Sequence, residues 1–129
     1  MKTIIAGSRN INNEKILLKA IKQSKFKITE VISGGARGVD TLAEEWAKQK
    51  KVKCKVFPAK WDDLDAPNSI IKENTYGKYN ARAGIDRNEE MAKYGQALIA
   101  IWDGESRGTA NMIETAKKHG LEVYVYYFK

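Results

Sequence analysis

Short apolar runs along this chain alternate with longer amphipathic stretches. An unbroken apolar run of four to six residues is typical of a strand buried in a sheet. The run from Ala97 to Trp102 has no polar alternation, as expected for a strand covered on both faces. Strands are predicted at Thr3 to Gly7, Glu30 to Ser33, Lys53 to Phe57, Ala97 to Trp102 and Leu121 to Tyr127.

Four amphipathic segments separate these strands and predict helices. Asn12 or Asn13 can cap the first helix, and Gly120 is predicted to end the last one. A third helix is predicted from about Ala81 to Tyr94, although Gly84 weakens it. The apolar faces of the other three consist of Ile16, Leu17, Ala20 and Ile21, of Val39, Leu42, Ala43, Trp46 and Ala47, and of Thr109, Met112, Ile113 and Ala116.

Strands that alternate with helices predict an α/β domain with a mainly parallel sheet between two helical layers. Residues 1–129 are predicted to form a single domain. The segment 61–80 is polar, contains Pro67 and Gly77, and has no clear period. We therefore expect an insertion loop there, of a length that is typical of lids and binding elements.

The composition narrows the class of protein. Hydrophobic residues make up 43% of the 129 positions and charged residues 30%, which argues against disorder. No 18-residue apolar stretch is present, and the first apolar run is too short for a signal peptide, so we expect a cytoplasmic protein that does not span a membrane. Cys54 is expected to be buried and inert in its strand, and His119 to suit the end of a helix. With one cysteine and one histidine, neither a Cys/His zinc site nor any other metal or cofactor is predicted.

The net charge of +7 permits phosphate-bearing partners, including nucleic acid. The lysines are scattered along the chain, which is typical of solvated surfaces rather than of one nucleic-acid patch.

A glycine-rich turn follows the second strand and is the strongest candidate for a site. Glycines between a strand and a helix let backbone N–H groups approach an anion, and the start of the helix adds partial positive charge. Arg37 is predicted in the first helical turn, where a phosphate would explain its charge, and Asp40 either caps the helix or accepts a ribose hydroxyl. The alternative is a plain turn whose glycines serve close packing. The turn comprises Ser33, Gly34, Gly35, Ala36, Arg37, Gly38, Val39 and Asp40.

Two more glycine-bearing turns follow the first and fourth predicted strands of the sheet. Because ligands bind at the carboxyl ends of parallel strands, we expect the three turns to converge on one site. Ser8 and Arg9 are candidates for a second phosphate, Arg87 and Asn88 are either phosphate ligands or a structural pair, and Trp61 either stacks on a base or packs. The other candidate ligand-binding residues are Gly7, Asp103, Gly104, Ser106, Gly108 and Thr109.

These motifs, taken in order, resemble the YspA-like branch of the SLOG superfamily. They are Gly7-Ser8-Arg9, Ser33 to Asp40, Arg87-Asn88 with Met91, and Trp102-Asp103-Gly104 with Ser106, Gly108-Thr109 and Met112-Ile113. The first two also resemble the Rossmann-like core of the DNA-processing protein A family. The resemblance implies a Rossmann-like domain that binds nucleotides or nucleotide-derived ligands, such as ADP-ribose and its cyclic relatives.

Some relatives in this superfamily, the LOG phosphoribohydrolases, cleave a base from a nucleoside monophosphate. They carry a glutamate in a Pro-Gly-Gly-x-Gly-Thr-x-x-Glu motif, and Met112 stands at that position here. This departure favours binding over hydrolysis. Hydrolysis stays open as an alternative, with Asp103, Glu105 or Glu114 as the acid or base.

The sequence therefore predicts a homodimeric protein that senses or sequesters a nucleotide-derived small molecule. A second-messenger nucleotide is one possible ligand. The alternatives are a nucleotide N-glycosidase and a single-stranded DNA-binding protein.

Overall fold

The computed structural model describes residues 1–59, 71–74, 77–80 and 82–128. Its strands are β1 (Lys2–Gly7), β2 (Glu30–Ser33), β3 (Lys53–Val56), β4 (Ile71–Asn74), β5 (Gly77–Asn80), β6 (Ala97–Trp102) and β7 (Glu122–Tyr127). Its helices are α1 (Glu14–Ser24), α2 (Val39–Gln49), α3 (Ala83–Tyr94) and α4 (Arg107–Lys118). The five predicted strands and four predicted helices are thus confirmed, with ends that differ by one or two residues.

Five strands form one sheet in the order β3-β2-β1-β6-β7, and every neighbouring pair is parallel. The chain leaves β1 toward β2 and β3, then returns to place β6 on the other side of β1. The strand order therefore reverses between β1 and β6. The loops after β1 and β6 therefore leave in opposite directions and open a crevice at the carboxyl edge of the sheet. Ligands bind in this crevice in this class of fold.

Two apolar layers hold the helices against the sheet, as the three-layer prediction requires. Successive strand residues point to opposite faces, so Ile5 packs with Leu17 of α1 and Val39 of α2. Its neighbour Ile4 packs on the other face with Met91 of α3 and with α4. The β6 residues from Ala97 to Ile101 are fully buried, which confirms the expectation that this strand is covered on both faces.

The predicted helix ends are confirmed at two places. Asn13 caps α1, since its side-chain oxygen accepts a hydrogen bond of 2.9 Å from the backbone N–H of Lys15. Gly120 follows α4 with a φ of 76°, the left-handed conformation in which helices commonly end at glycine. His119 is the C-cap residue that follows that helix, and its Nε2 atom lies 2.7 Å from a carboxylate oxygen of Glu89.

Two expectations from the sequence are wrong. Cys54 is exposed rather than buried, because β3 is the edge strand of the sheet and all four of its residues are exposed. The segment 61–80 is not wholly loop, because β4 and β5 pair as an antiparallel two-stranded sheet. Backbone pairing forms these strands, and the polar sequence there carries no alternating signal.

Within the described ranges, no helix has the length and apolar character needed to cross a membrane.

A test of the fold concerns Gly38, where φ is 79° and a Cβ atom would lie 2.5 Å from the carbonyl oxygen of Ser8. We expect Gly38→Ala to lower the free energy of unfolding by about 3 kcal/mol. The strain of a positive φ and the clash of the new Cβ with the backbone both contribute to this loss. Gly120→Ala is the matched control, because Gly120 shares the positive φ but its Cβ position is open. That control should cost about 1 kcal/mol. Equal losses in urea denaturation would contradict the role of the close contact.

Candidate functional site

A cleft of about 480 Å³ opens at the carboxyl ends of β1 and β6, where the strand order reverses. All three glycine-bearing turns and α3 contribute to its walls, so the structure brings most of the candidate residues together. The candidates that line it are Gly7, Ser8, Arg9, Ala36, Arg37, Asp40, Arg87, Asn88, Asp103, Glu105, Ser106, Gly108 and Thr109.

The turn after β1 packs directly on the start of α2. The backbone N–H of Val39 donates a hydrogen bond of 3.3 Å to the carbonyl oxygen of Ser8. A Cβ on Gly7 would lie 2.5 Å from the carbonyl oxygen of Ile101, and one on Gly38 would clash with the backbone of Ser8 and Arg9. Gly7 and Gly38 are therefore required for packing inside the protein.

Arg87 of α3 reaches across to the glycine turn after β2. Its Nη1 atom donates a hydrogen bond of 2.6 Å to the carbonyl oxygen of Gly34, and its Nε atom donates one of 3.1 Å to Oδ1 of Asn88. A Cβ on Gly34 would lie only 2.5 Å from Nη1. Glycine at this position thus lets the guanidinium lie against the backbone of the turn.

Asn88 continues this connection toward the third turn. Its Nδ2 atom donates hydrogen bonds to Oδ1 of Asn111 at 2.9 Å and to the carbonyl oxygen of Gly108 at 3.4 Å. Arg87 and Asn88 therefore make structural contacts within the protein, as one of the two interpretations of this pair predicts. Those contacts also fix the position of the start of α4 relative to the glycine turn.

Asp40 is a buried carboxylate in the wall of the cleft, with 6% of its surface exposed. Burial raises its pKa to about 6, against the opposing effects of the Ala36 N–H and the charges of Arg87 and Arg9. One of its oxygens accepts a hydrogen bond of 3.1 Å from that N–H. Asp40 does not cap α2, because its side chain bonds to the turn and the cap residue, Gly38, offers no side chain.

Arg9 and Arg37 are exposed and line the same cleft. Neither side chain has an ion-pair partner among the residues that the structure describes. The placement of Arg37 in the first helical turn is wrong, because α2 begins at Val39 after the positive φ of Gly38. Its charge therefore faces the cleft from the turn and does not oppose the helix dipole within the helix.

The turn after β6 is organised by Asp103. Its Oδ1 atom accepts hydrogen bonds of 2.8 Å from the backbone N–H groups of Glu105 and Ser106, and these bonds hold its pKa below the usual range. Asp103 is therefore ionised at neutral pH. Ser106 caps α4 by accepting a hydrogen bond of 3.4 Å from the N–H of Thr109.

The candidate acids differ in where they lie. Glu105 is exposed at the rim of the cleft, whereas Glu114 is exposed on α4 and is not part of the lining. Met112, where the resemblance to the LOG phosphoribohydrolases would place a glutamate, is buried and lines the cleft with an apolar side chain.

Five candidates lie elsewhere. Gly34 and Gly35 line a second cavity of about 390 Å³ that adjoins the cleft. Ser33, Gly38 and Gly104 line neither cavity. The hydroxyl of Ser33 donates to Glu44 at 2.7 Å and accepts from the N–H of Gly35 at 3.1 Å, so it stabilises the turn.

Trp61 lies outside the described residues.

The sequence reasoning missed Asn10 in the cleft and Pro58 and Ala59 in the second cavity. Asn10 continues the turn that starts at Gly7, and Pro58 and Ala59 follow β3. Their place at the carboxyl edge of the sheet was the signal that could have identified them.

Comparisons with known proteins agree with this fold. Residues 1–63 match the model of the YspA, cpYpsA-related SLOG family, which confirms the predicted resemblance to the SLOG superfamily. A relative from Mycobacterium phage D29, the Gene 61 protein, is 29% identical over 132 residues, which cover 95% of this chain and 93% of the relative. DNA processing protein A from Streptococcus pneumoniae is similar in structure, with a TM-score of 0.68 and 20% identity. The superposition covers 96% of this chain and 49% of the length of DNA processing protein A. It establishes a shared Rossmann-like fold.

The buried Asp40 makes stability depend on pH. The pKa of Asp40 is about 6 in the folded protein, whereas the ordinary value for an aspartate is 3.8. The folded state therefore binds the proton more tightly than the unfolded state. This stabilising contribution is complete below pH 4 and is lost as the pH rises through 6. Relative to the wild type, we expect Asp40→Asn to gain up to about 3 kcal/mol of unfolding free energy between pH 4 and pH 7.

Urea denaturation at pH 4, 5, 6 and 7 measures that difference. Glu45→Gln, which removes an exposed carboxylate from the same helix, is the control. A difference between Asp40→Asn and the wild type that stays constant over this pH range would contradict the buried charge.

Proposed function

For a chain whose residues 1–63 match the SLOG family, we propose a function in binding a nucleotide-derived small molecule as a sensor or sequestering protein. The ligand class is an ADP-ribose-like molecule or a signal derived from a cyclic nucleotide. The observation that carries the proposal is the charge distribution of the cleft. Three arginines lie in one small cavity with two acidic residues of the third turn, Asp103 and Glu105. Its volume of about 480 Å³ is within the range of small-molecule sites.

Arg9, Arg37 and Arg87 are suited to a phosphate group. Guanidinium groups hold phosphate oxygens through paired, charge-assisted hydrogen bonds. Arg87 is half-buried and held in place by Gly34 and Asn88, so little side-chain freedom is lost when it binds an anion. Arg9 and Arg37 are exposed without ion-pair partners in the described chain, so their charges are available to the ligand.

The acidic residues of the third turn are suited to sugar hydroxyls. Asp103 is ionised, and Oδ1 takes up the two backbone N–H groups of its turn, which leaves acceptor capacity at the other oxygen. Glu105 lies beside it at the rim. A molecule that carries both phosphate and hydroxyl groups matches these two kinds of side chain.

Hydrolysis and DNA binding have less support. The buried Met112 supplies no acid or base, and the ionised Asp103 is a poor proton donor at neutral pH. The likeness to DNA processing protein A concerns the fold at 20% identity, and the charged residues described here surround a cavity rather than a long groove.

Native mass spectrometry of freshly purified protein is the direct test. We expect a bound nucleotide-derived mass, which denaturation releases for identification, and the same spectra report the predicted homodimer. Binding is then measured by calorimetry with AMP and ADP-ribose. Release of adenine from AMP during incubation would favour the N-glycosidase alternative. Salt-sensitive binding of single-stranded DNA, without nucleotide binding, would favour the DNA-binding alternative.

A charge-matched pair of variants tests the arginines. We expect Arg9→Met to weaken AMP binding by about tenfold or more, since a charge-assisted contact to phosphate is lost. Arg107→Met removes an exposed arginine that does not line the cleft and should change the affinity less than about twofold. Equal effects of the two substitutions in calorimetry would mean that only the net charge matters.

Gly108 separates stability from binding. It lies in the first turn of α4, lines the cleft, and has no atom within 4 Å of its Cβ position. We expect Gly108→Ala to raise the free energy of unfolding by up to about 1 kcal/mol, because alanine favours helix.

The same methyl group should weaken AMP binding several-fold by obstructing close approach of the ligand to the backbone. Thermal unfolding and calorimetry give the two readouts. Unchanged affinity in a stabilised variant would show that the ligand does not reach α4.

A further inference from the structure

The second cavity lies beside the cleft, at the carboxyl ends of β2 and β3. Its walls are formed by the glycine turn after β2 and by Pro58 and Ala59 after β3. The two cavities are contiguous, because Arg9, Ala36, Arg37 and Arg87 line both of them. All three arginines of the candidate site therefore lie at the boundary between the cleft and the second cavity.

We infer that the cleft and the second cavity form one bipartite site for a ligand whose two halves are joined through phosphate. The arginines hold the phosphodiester or pyrophosphate linkage at the boundary. One half of the ligand occupies the cleft, and the other occupies the second cavity. This inference rests on the proposed function and narrows its ligand class.

The guanidinium of Arg87 supports a central phosphate. Of its five N–H hydrogens, the described residues engage two, one each from Nη1 and Nε. The engaged hydrogens fix the plane of the group between Gly34 and Asn88. The other hydrogens make no hydrogen bond within the described part of the chain, and they lie at the boundary with the guanidinium groups of Arg9 and Arg37.

The number of charges also matches an internal linkage. A pyrophosphate bridge carries two negative charges, and the three arginines that line both cavities supply positive charge at the boundary. Asp40 lies beside Arg87 and offsets part of that charge. A terminal phosphate in the cleft alone would not account for arginines that face the second cavity as well.

The lining of the second cavity indicates the chemistry of the outer half. Among the described residues, its lining apart from the shared arginines consists of Gly34, Gly35, Ala36, Pro58 and Ala59, which carry no charged side chain. Gly35 has a φ of 74° and exposes its backbone, and its Cβ position lies 3.9 Å from Cα of Pro58. Such a surface suits a neutral sugar or base rather than another phosphate.

Calorimetry with two probes tests the inference. AMP can fill one cavity and reach the arginines, whereas ADP-ribose has a further ribose beyond its pyrophosphate. We expect the wild type to bind ADP-ribose at least about tenfold more tightly than AMP. In Ala59→Trp, which fills the second cavity, the ratio of the two affinities should fall to within about twofold while the affinity for AMP is retained.

Ala59→Ser is the control at the same position and should keep the wild-type ratio, since the added volume is small. NMR of the wild type gives a readout that needs no variant. ADP-ribose should shift the backbone amide resonance of Ala59, and AMP should not.

The outcomes separate the two proposals. If neither probe binds, the proposed function and the inference both fail. If AMP binds and ADP-ribose binds no more tightly, or if Ala59→Trp leaves the ratio unchanged with no shift at Ala59, the bipartite site is overturned and the proposed function stands.

Discussion

The close contact between the turn after β1 and the start of α2 is the constraint on which the site depends. The carbonyl oxygen of Ser8 accepts the N–H of Val39, and the backbone approaches Gly38 to a distance that excludes any Cβ. Gly7 allows the same approach between β1, β6 and α2. Because these contacts fix the first turn against the second, the side chains of Arg9 and Asp40 enter one cleft. The glycines thus shape the site through packing within the protein, whichever ligand it binds.

Around this contact, the helix α3 links the turns through polar side chains. Arg87 binds the carbonyl oxygen of Gly34, and Asn88 reaches the start of α4. The buried Asp40 lies beside the guanidinium, and burial of its charge is compensated in part by that neighbour and by the N–H of Ala36. A carboxylate with a raised pKa in a cleft is a feature of functional sites, and here it accompanies arginines without ion-pair partners among the described residues.

The third turn and the helix after it contribute an apolar and an acidic side chain to the cleft. Met112 is buried there, at the position where the resemblance to the LOG phosphoribohydrolases would place a glutamate. Asp103 is held ionised by backbone N–H groups, and Glu114 does not line the cleft. The described site therefore combines three arginines with two carboxylates, Asp40 and Asp103, whose pKa values their surroundings shift in opposite directions.

The sequence by itself determined the order of strands and helices, the parallel sheet and the three turns at its edge. These features depend on hydrophobic periodicity and on residues close in the chain, as at Asn13 and Gly120. Only the tertiary structure decided the role of individual site residues. Gly34 is tied to Arg87, 53 residues away, and Ser33 turns from the site toward Glu44. The exposure of Cys54 likewise depends on β3 being an edge strand. Contacts between distant segments carry no local pattern, so the sequence predicted which turns meet at the edge of the sheet better than which atoms form the cleft.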